Sequence, residues 1–209
     1  SSTTPEAYYQ ERAAPPGSAL HYAVLFAPPD RRDAVAAVCA FQRAVDAAGR
    51  EAADAGVGRI KLQWWRDEVQ RLFRGEPRHP ISTALADAVA ARRLPREQFL
   101  EVIAGAEMDL DTFAYQSFQE LTLYYHRTGS MPSLMATEVL GCEDPRTLKY
   151  AHYLGTSLRL CRAIRGARRN AAAGRLHLPL DELEQHGVSV QDLASGRDSP
   201  GVRALFQRQ

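Results

Sequence analysis

Arg43, Asp46 and Arg50 are separated by three and four residues. On a helix they share one face, with neighbouring side chains roughly 5–6 Å apart. Arg162, Arg165 and Arg169 repeat that spacing. Guanidinium groups aligned in this way suit bidentate contacts with phosphate or carboxylate. A cationic helix end also complements the helix dipole, which is effective over the last turn only. That accounts for Arg168 and Arg169 but not for Arg159, Arg162 and Arg165, which lie a turn or more earlier.

Other chemistry is poorly represented. The six histidines, at 21, 79, 126, 152, 177 and 186, form no HxxxH or HxxE pair with a third ligand. No GxSxG, GxxxxGK or GxGxxG segment occurs, so nucleophile elbows and Gly-rich phosphate loops are excluded. Cys39, Cys142 and Cys161 are far apart and form no CxxC pair, which predicts free thiols in a reducing compartment, the cytoplasm or the mitochondrial matrix. Glu107-Met108-Asp109-Leu110-Asp111 is acidic, but residues two apart on a helix point about 200° away from each other. The segment is expected to be a solvated helix end.

The elements that must carry the arginines are helical. Asp30 caps a segment from Arg31 to Ala48 whose Val35, Val38, Phe41 and Val45 form one stripe. Helices follow over Arg59–Phe73, Ile81–Ala91 and Arg96–Leu110, the last started by Pro95. Ile60, Trp64, Val69 and Leu72 are the predicted buried stripe of the first of these, with the Trp64-Trp65 pair in the core. Phe118–Leu140 is predicted helical with a kink near Gly129 and Pro132. Asp144-Pro145 opens a long helix to Arg169, and Asp181 and Ser189 start short ones. Two further short helices are predicted before Pro28, and strand-like alternation is absent. The reading is all-α, eight to ten helices in one antiparallel bundle.

The chain has 209 residues and a formal charge of +1, the size of one domain and too neutral to hold nucleic acid by bulk charge. Of its 26 basic residues 24 are Arg, and 33 residues are Ala, a bias that a GC-rich genome also produces. No apolar run approaches the ~20 residues that span a bilayer, and no signal peptide is expected.

Several segments together resemble the squalene/phytoene synthase family, especially bacterial synthases of presqualene diphosphate type. They are LFAPPDRR (25–32), FQRAVD (41–46), KLQWWRDEV (61–69), LFRGEPRHP (72–80), EMDLD (107–111), LKYAHYLG (148–155), GRLHLPLDEL (174–183) and HGVSVQDL (186–193). The resemblance runs from about Tyr8 to Phe206. It implies an isoprenoid synthase-type helical bundle around a central, largely apolar cavity. For active members it implies two Asp-rich motifs whose carboxylates bind Mg²⁺, and with it the diphosphates of two prenyl substrates that condense head to head.

This chain departs from the family pattern at those motifs. Where FxRxxDDxxDE is expected, Asp46 and Glu51 are kept, but Ala47 and Arg50 replace two carboxylates. Where QLTNxxRDxxxDxxxGRxYLP is expected, Arg162, Gly166 and Asn170 replace Asn, Asp and Asp. Arg165 and the Gly174-Arg175 pair are kept, and His177 stands for the Tyr. Ser18 and Tyr22 keep part of an N-terminal phosphate-side segment, and Tyr125 falls in a cavity aromatic segment.

Arginine beside a single carboxylate repels a divalent cation. No cofactor is therefore expected, with Asp46 a metal-site remnant and Asp46 and Glu51 remnants of the catalytic acids. Arg43, Arg50, Arg162, Arg165, Arg175 and Tyr22 are the expected diphosphate-binding residues. The expected role is a binding, scaffold or assembly protein, or the inactive partner of an active paralogue. Its expected ligand is a prenyl diphosphate or phospholipid-like anion, and a protein partner is also expected. The alternative is an active prenyltransferase with Arg-based diphosphate binding and Mg²⁺. The family pattern continues for roughly two further helices beyond Gln209, and an uncovered wall there would expose apolar surface suited to a partner or a membrane.

Overall fold

A computed structural model describes residues 27–50, 54–92 and 94–208. The two short helices predicted before Pro28 lie outside these residues. Within them the chain is all-α, as expected. It comprises α1 (Pro29–Arg50), α2 (Ala55–Phe73), α3 (Pro80–Arg92), α4 (Arg96–Asp111) and α5 (Phe118–Tyr125). A π-helical turn (His126–Ser130) leads into α6 (Met131–Val139) and α7 (Pro145–Arg165). Short helices α8 (Ala167–Ala172), α9 (Leu180–Gln185) and α10 (Val190–Ser195) precede α11 (Pro200–Arg208). The described residues hold eleven α-helices where eight are expected, because 118–140 divides at the π-helical turn, Gly166 ends α7 before a separate α8, and α11 follows the last expected start.

The helix starts follow local chemistry. Asp54, Ser117 and Asp144 each accept a hydrogen bond from the backbone N–H three residues on, satisfying an otherwise orphaned donor. Ser189 and Asp192 form a reciprocal capping box at α10, which Gly196 closes at φ 69°, a conformation glycine adopts without steric penalty.

The main core gathers α1, α2, α3, α4 and α6. Val35, Val38, Phe41 and Val45 are buried as the stripe predicts, each burial contributing about 1.5–3 kcal/mol. In α2 the buried stripe is instead Leu62, Trp65, Val69 and Leu72, with Glu68 among them. Ile60 is 73% exposed and Trp64 42%, because Ile60 lies two residues from Leu62 and so faces away from it. Trp64 packs edge-on against Trp65 and His79 at the rim of the core.

The kink expected near Gly129 is the π-helical turn. The backbone there touches α7 directly, since a Cβ on either Gly129 or Gly155 would overlap the other's carbonyl oxygen. Ser130 Oγ donates to the His152 carbonyl at 2.9 Å and fixes the same contact. A second apolar cluster joins α8 to α11 with Leu176 and Leu178. A third, with Tyr115, Tyr124 and Tyr125, lies beside α7.

Candidate functional site: an arginine pocket over a buried carboxylate network

A pocket of about 760 Å³ opens between α1, α5, α7 and α8. Asp46 and Arg50 reach it from the last turns of α1, and Arg159, Arg162 and Arg165 from the C-terminal half of α7. Gly166 ends α7, and Arg168 and Arg169 of α8 join the lining. His177 arrives on a strap after α8. The Leu176 amide donates to the Phe113 carbonyl at 2.6 Å and the Leu180 amide to the Tyr115 carbonyl at 3.0 Å. The strap is thereby pinned beside the end of α4. Where the resemblance implies a largely apolar cavity, the pocket at these residues is cationic.

Under the arginines lies a continuous network. Asp109, 1% exposed, accepts hydrogen bonds from Arg50 Nε at 3.1 Å and Tyr124 Oη at 3.3 Å, and pairs with His177 Nε2 at 2.9 Å. Tyr124 Oη in turn accepts from Arg50 Nη2 at 2.9 Å and Arg159 Nη2 at 3.2 Å. A phenol has one proton, so with two guanidinium donors upon it the proton points to Asp109. Arg159, itself buried, donates to Asp46 Oδ2 at 2.9 Å. The His177 ring stacks on Tyr124, centroids 4.7 Å apart and planes 8° from parallel. Tyr125 Oη donates to the His177 carbonyl at 2.5 Å.

These contacts set the charge states. Burial alone would push the Asp109 carboxyl up, but the His177 hydrogen bond and the Arg50 charge together hold it down to about 2. Burial pushes the Tyr124 phenol up. For Arg159, burial opposes the charged form, yet the Asp46 charge and the Tyr124 phenol raise its pKa. Arg162 is shifted down, by burial first and by the nearby Arg159 charge second. No ion pair within 4 Å engages Arg162, Arg165, Arg168 or Arg169 among the described residues.

Of the expected diphosphate residues, Arg50, Arg162 and Arg165 meet in the pocket with the remnant Asp46. Arg43 and Arg175 do not line it, and Arg175 is half-buried two residues before His177. Tyr22 and Glu51 lie outside the described residues. Arg168 and Arg169, which the helix dipole would explain, belong to the lining. The expected solvated end of α4 is correct for Asp111, which pairs with Arg59 at the surface, and wrong for Asp109. The signal lay in α4 itself: Val102, Ala106 and Asp109 follow the buried i, i+4, i+7 spacing. Among the described residues no three His, Cys, Asp or Glu side chains cluster as metal ligands.

The profile of the squalene/phytoene synthase family matches residues 14–209. Phytoene synthase 1, chloroplastic, of Arabidopsis thaliana is 31% identical over 91% of this chain and 46% of its own length. Presqualene diphosphate synthase of Sinorhizobium fredii is 31% identical over 89% of this chain and 67% of its own. Complex I assembly factor 6 of Rattus norvegicus is 30% identical over 70% of this chain and 44% of its own. The chain spans about half the length of several curated relatives it matches. The crystal structure of squalene synthase HpnC from Alicyclobacillus acidocaldarius superposes with a TM-score of 0.85 at 26% identity, over 98% of this chain and 77% of that one. Fold, segments and profile agree, and the chain belongs to the squalene/phytoene synthase family.

Proposed function

We propose that this family member no longer performs Mg²⁺-dependent head-to-head condensation of prenyl diphosphates. Its arginine pocket binds a prenyl diphosphate or phospholipid-like anion directly, and the protein serves as a binding, scaffold or assembly component. The observation that carries this reading is the engagement of the carboxylates. Asp46 is held by Arg159, Asp109 by Arg50, His177 and Tyr124. A divalent cation would have to displace a guanidinium to reach either oxygen pair, and would meet further arginines at the rim. Among the described residues the donor set therefore does not fit Mg²⁺, whose hard charge needs several free oxygens. Charge-assisted N–H···O bonds from Arg162, Arg165, Arg168 and Arg169 supply what an anion needs instead. The likeness to a complex I assembly factor supports a role with protein partners. Free thiols at Cys39, Cys142 and Cys161 suit the cytoplasm or the mitochondrial matrix.

Calorimetric titration with farnesyl diphosphate, with Mg²⁺ and with a chelator, tests the pocket. Binding of similar strength in both is expected, and strict Mg²⁺ dependence refutes the reading. The second reading, an active prenyltransferase, is favoured by the synthases among the relatives and by Arg165 standing at the rim. Incubation with farnesyl or geranylgeranyl diphosphate, Mg²⁺ and NADPH separates the two. The proposal expects no C30 or C40 product and no released diphosphate.

A further inference from the structure

Two histidines far apart in the chain meet in the fold. His126 opens the π-helical turn after α5, and His152 lies in the first half of α7. Both are half-buried. Their ring centres are 5.4 Å apart, with the planes 49° from parallel. They line a small cavity of about 370 Å³ between α5 and α7, together with Gln119, Thr122, Leu123 and Thr156. Neither ring lines the arginine pocket. The approach is fixed by the backbone contact of Gly129 with Gly155 and by Ser130 Oγ, which donates to the His152 carbonyl at 2.9 Å. The Tyr153 ring stands edge-on to His152, centroids 5.3 Å apart. Among the described residues no hydrogen bond engages either imidazole, since the bonds at His152 go to its backbone carbonyl.

From this arrangement we infer that His126 and His152 form a site for a divalent late-transition ion of the zinc type, held between α5 and α7. Imidazole nitrogen suits such an ion. With Zn–N bonds of about 2.0–2.1 Å at a tetrahedral angle, the centres of two ligating rings fall about 5 Å apart, close to the spacing found here. Burial first, and the neighbouring His152 second, push the His126 pKa down, so the ring is neutral near pH 7 and has a lone pair to give. The local field does not oppose a cation: at His126 the Glu101 charge outweighs that of Arg127, its ion-pair partner at 2.8 Å. Two protein ligands leave the other positions to water, so the ion is exchangeable where a four-ligand structural zinc is not. An HxxxH motif reports ligands on one helix, whereas this pair spans two elements. The site is made by the contact of the π-helical turn with α7, and it is independent of the anion reading of the arginine pocket.

Calorimetric titration of the full chain with Zn²⁺ in chelator-free buffer is the test, and one ion per chain is expected to bind. His126→Ala and His152→Ala should each weaken that binding by at least about tenfold. Cys161→Ser, which removes the exposed thiol, should bind as the parent does. Because the ion binds the folded chain, Zn²⁺ should also raise the urea unfolding midpoint of the parent and of Cys161→Ser, and not that of either histidine variant. Nitrogen-15 NMR of the parent needs no variant: the His126 and His152 ring resonances should shift together as Zn²⁺ is added. Absence of Zn²⁺ binding overturns the inference. So does binding that both histidine variants keep, binding that Cys161→Ser loses, or shifts confined to other histidines.

Discussion

Two buried carboxylates in this protein have the same charge state and opposite surroundings. Glu68, fully buried in α2, accepts from the Arg78 and His79 amides at 2.7 Å, from Arg71 Nε at 2.7 Å and from the Ser82 hydroxyl. It fastens the turn between α2 and α3 with mostly neutral donors in the main core. Asp109 is held by Arg50, His177 and Tyr124 beneath an open pocket. Burial pushes both carboxyls up and hydrogen bonding overrules it in both, so each is held at about 2. What distinguishes them is what the partners are free to do. The donors on Glu68 include two backbone amides, and none of the four lines the pocket. Arg50 lines the pocket, so its hold on Asp109 withdraws positive charge from any anion bound above. A low carboxylate pKa identifies a well-satisfied group in either case, and only the pocket makes one of them relevant to binding.

Breaking the Glu68 hub should have the larger effect on stability. Glu68→Ala leaves two buried amides and a hydroxyl without acceptors and removes the Arg71 partner, a loss of about 3–5 kcal/mol. Urea unfolding measures it, and ligand affinity per folded molecule should not change. Asp109→Asn keeps the shape and leaves Arg50 without its counter-charge, at about 2–3 kcal/mol, less because the pocket admits water. The sign on binding is expected to reverse there. Arg50 is released, and affinity for farnesyl diphosphate should rise several-fold in the calorimeter. If the two variants behave alike in both assays, the distinction between hub and pocket floor fails.

Acid titration treats the two regions together. Both carboxyls have folded pKa values below their unfolded ones. Their contribution to stability is therefore fully present above about pH 5 and is lost as pH falls toward 2. Unfolding midpoints in urea should fall steeply over that window. Glu68→Gln and Asp109→Asn should each remove part of the slope, and above pH 5 each curve should run parallel to the parent.

The sequence made much of this visible because much of it is local. The stripe of α1, the proline and Asp starts of α4 and α7, and the break near Gly129 all depend on neighbours within a few residues. The arginine spacing on α1 and α7 is local in the same way, and it brings Arg50, Arg162 and Arg165, though not Arg43, to one pocket. What was not legible is long-range. Asp109 acquires its partners from residues 59 and 68 positions away, and Arg159 meets Asp46 across 113. Charged residues are most often solvated, so the acidic end of α4 looked like surface. Only the arrival of Arg50 and the strap bearing His177 makes burial of Asp109 affordable. The helix dipole suffices for Arg168 and Arg169 only on one continuous helix; Gly166 ends α7 before them, and on α8 they line the pocket.

The smallest expected effect concerns His177, which stacks on Tyr124 and pairs with Asp109. His177→Phe keeps a ring of similar size against Tyr124 and removes only the contact to Asp109 Oδ1. The Tyr125 hydroxyl donates to the backbone carbonyl of residue 177, so the strap is still held. Asp109 keeps Arg50 and Tyr124, and the loss should be about 1 kcal/mol in urea unfolding. The hydrogen bond from His177 is the leading influence that lowers the Asp109 carboxyl. Its removal should therefore raise that pKa and move the acid transition to higher pH, which carbon-detected NMR of the Asp109 carboxyl follows directly. His177→Ala removes the stack as well and should cost more. Equal losses in the two variants would assign the energy to the hydrogen bond alone, and a His177→Phe variant with unchanged titration would remove His177 from the electrostatics of the pocket floor.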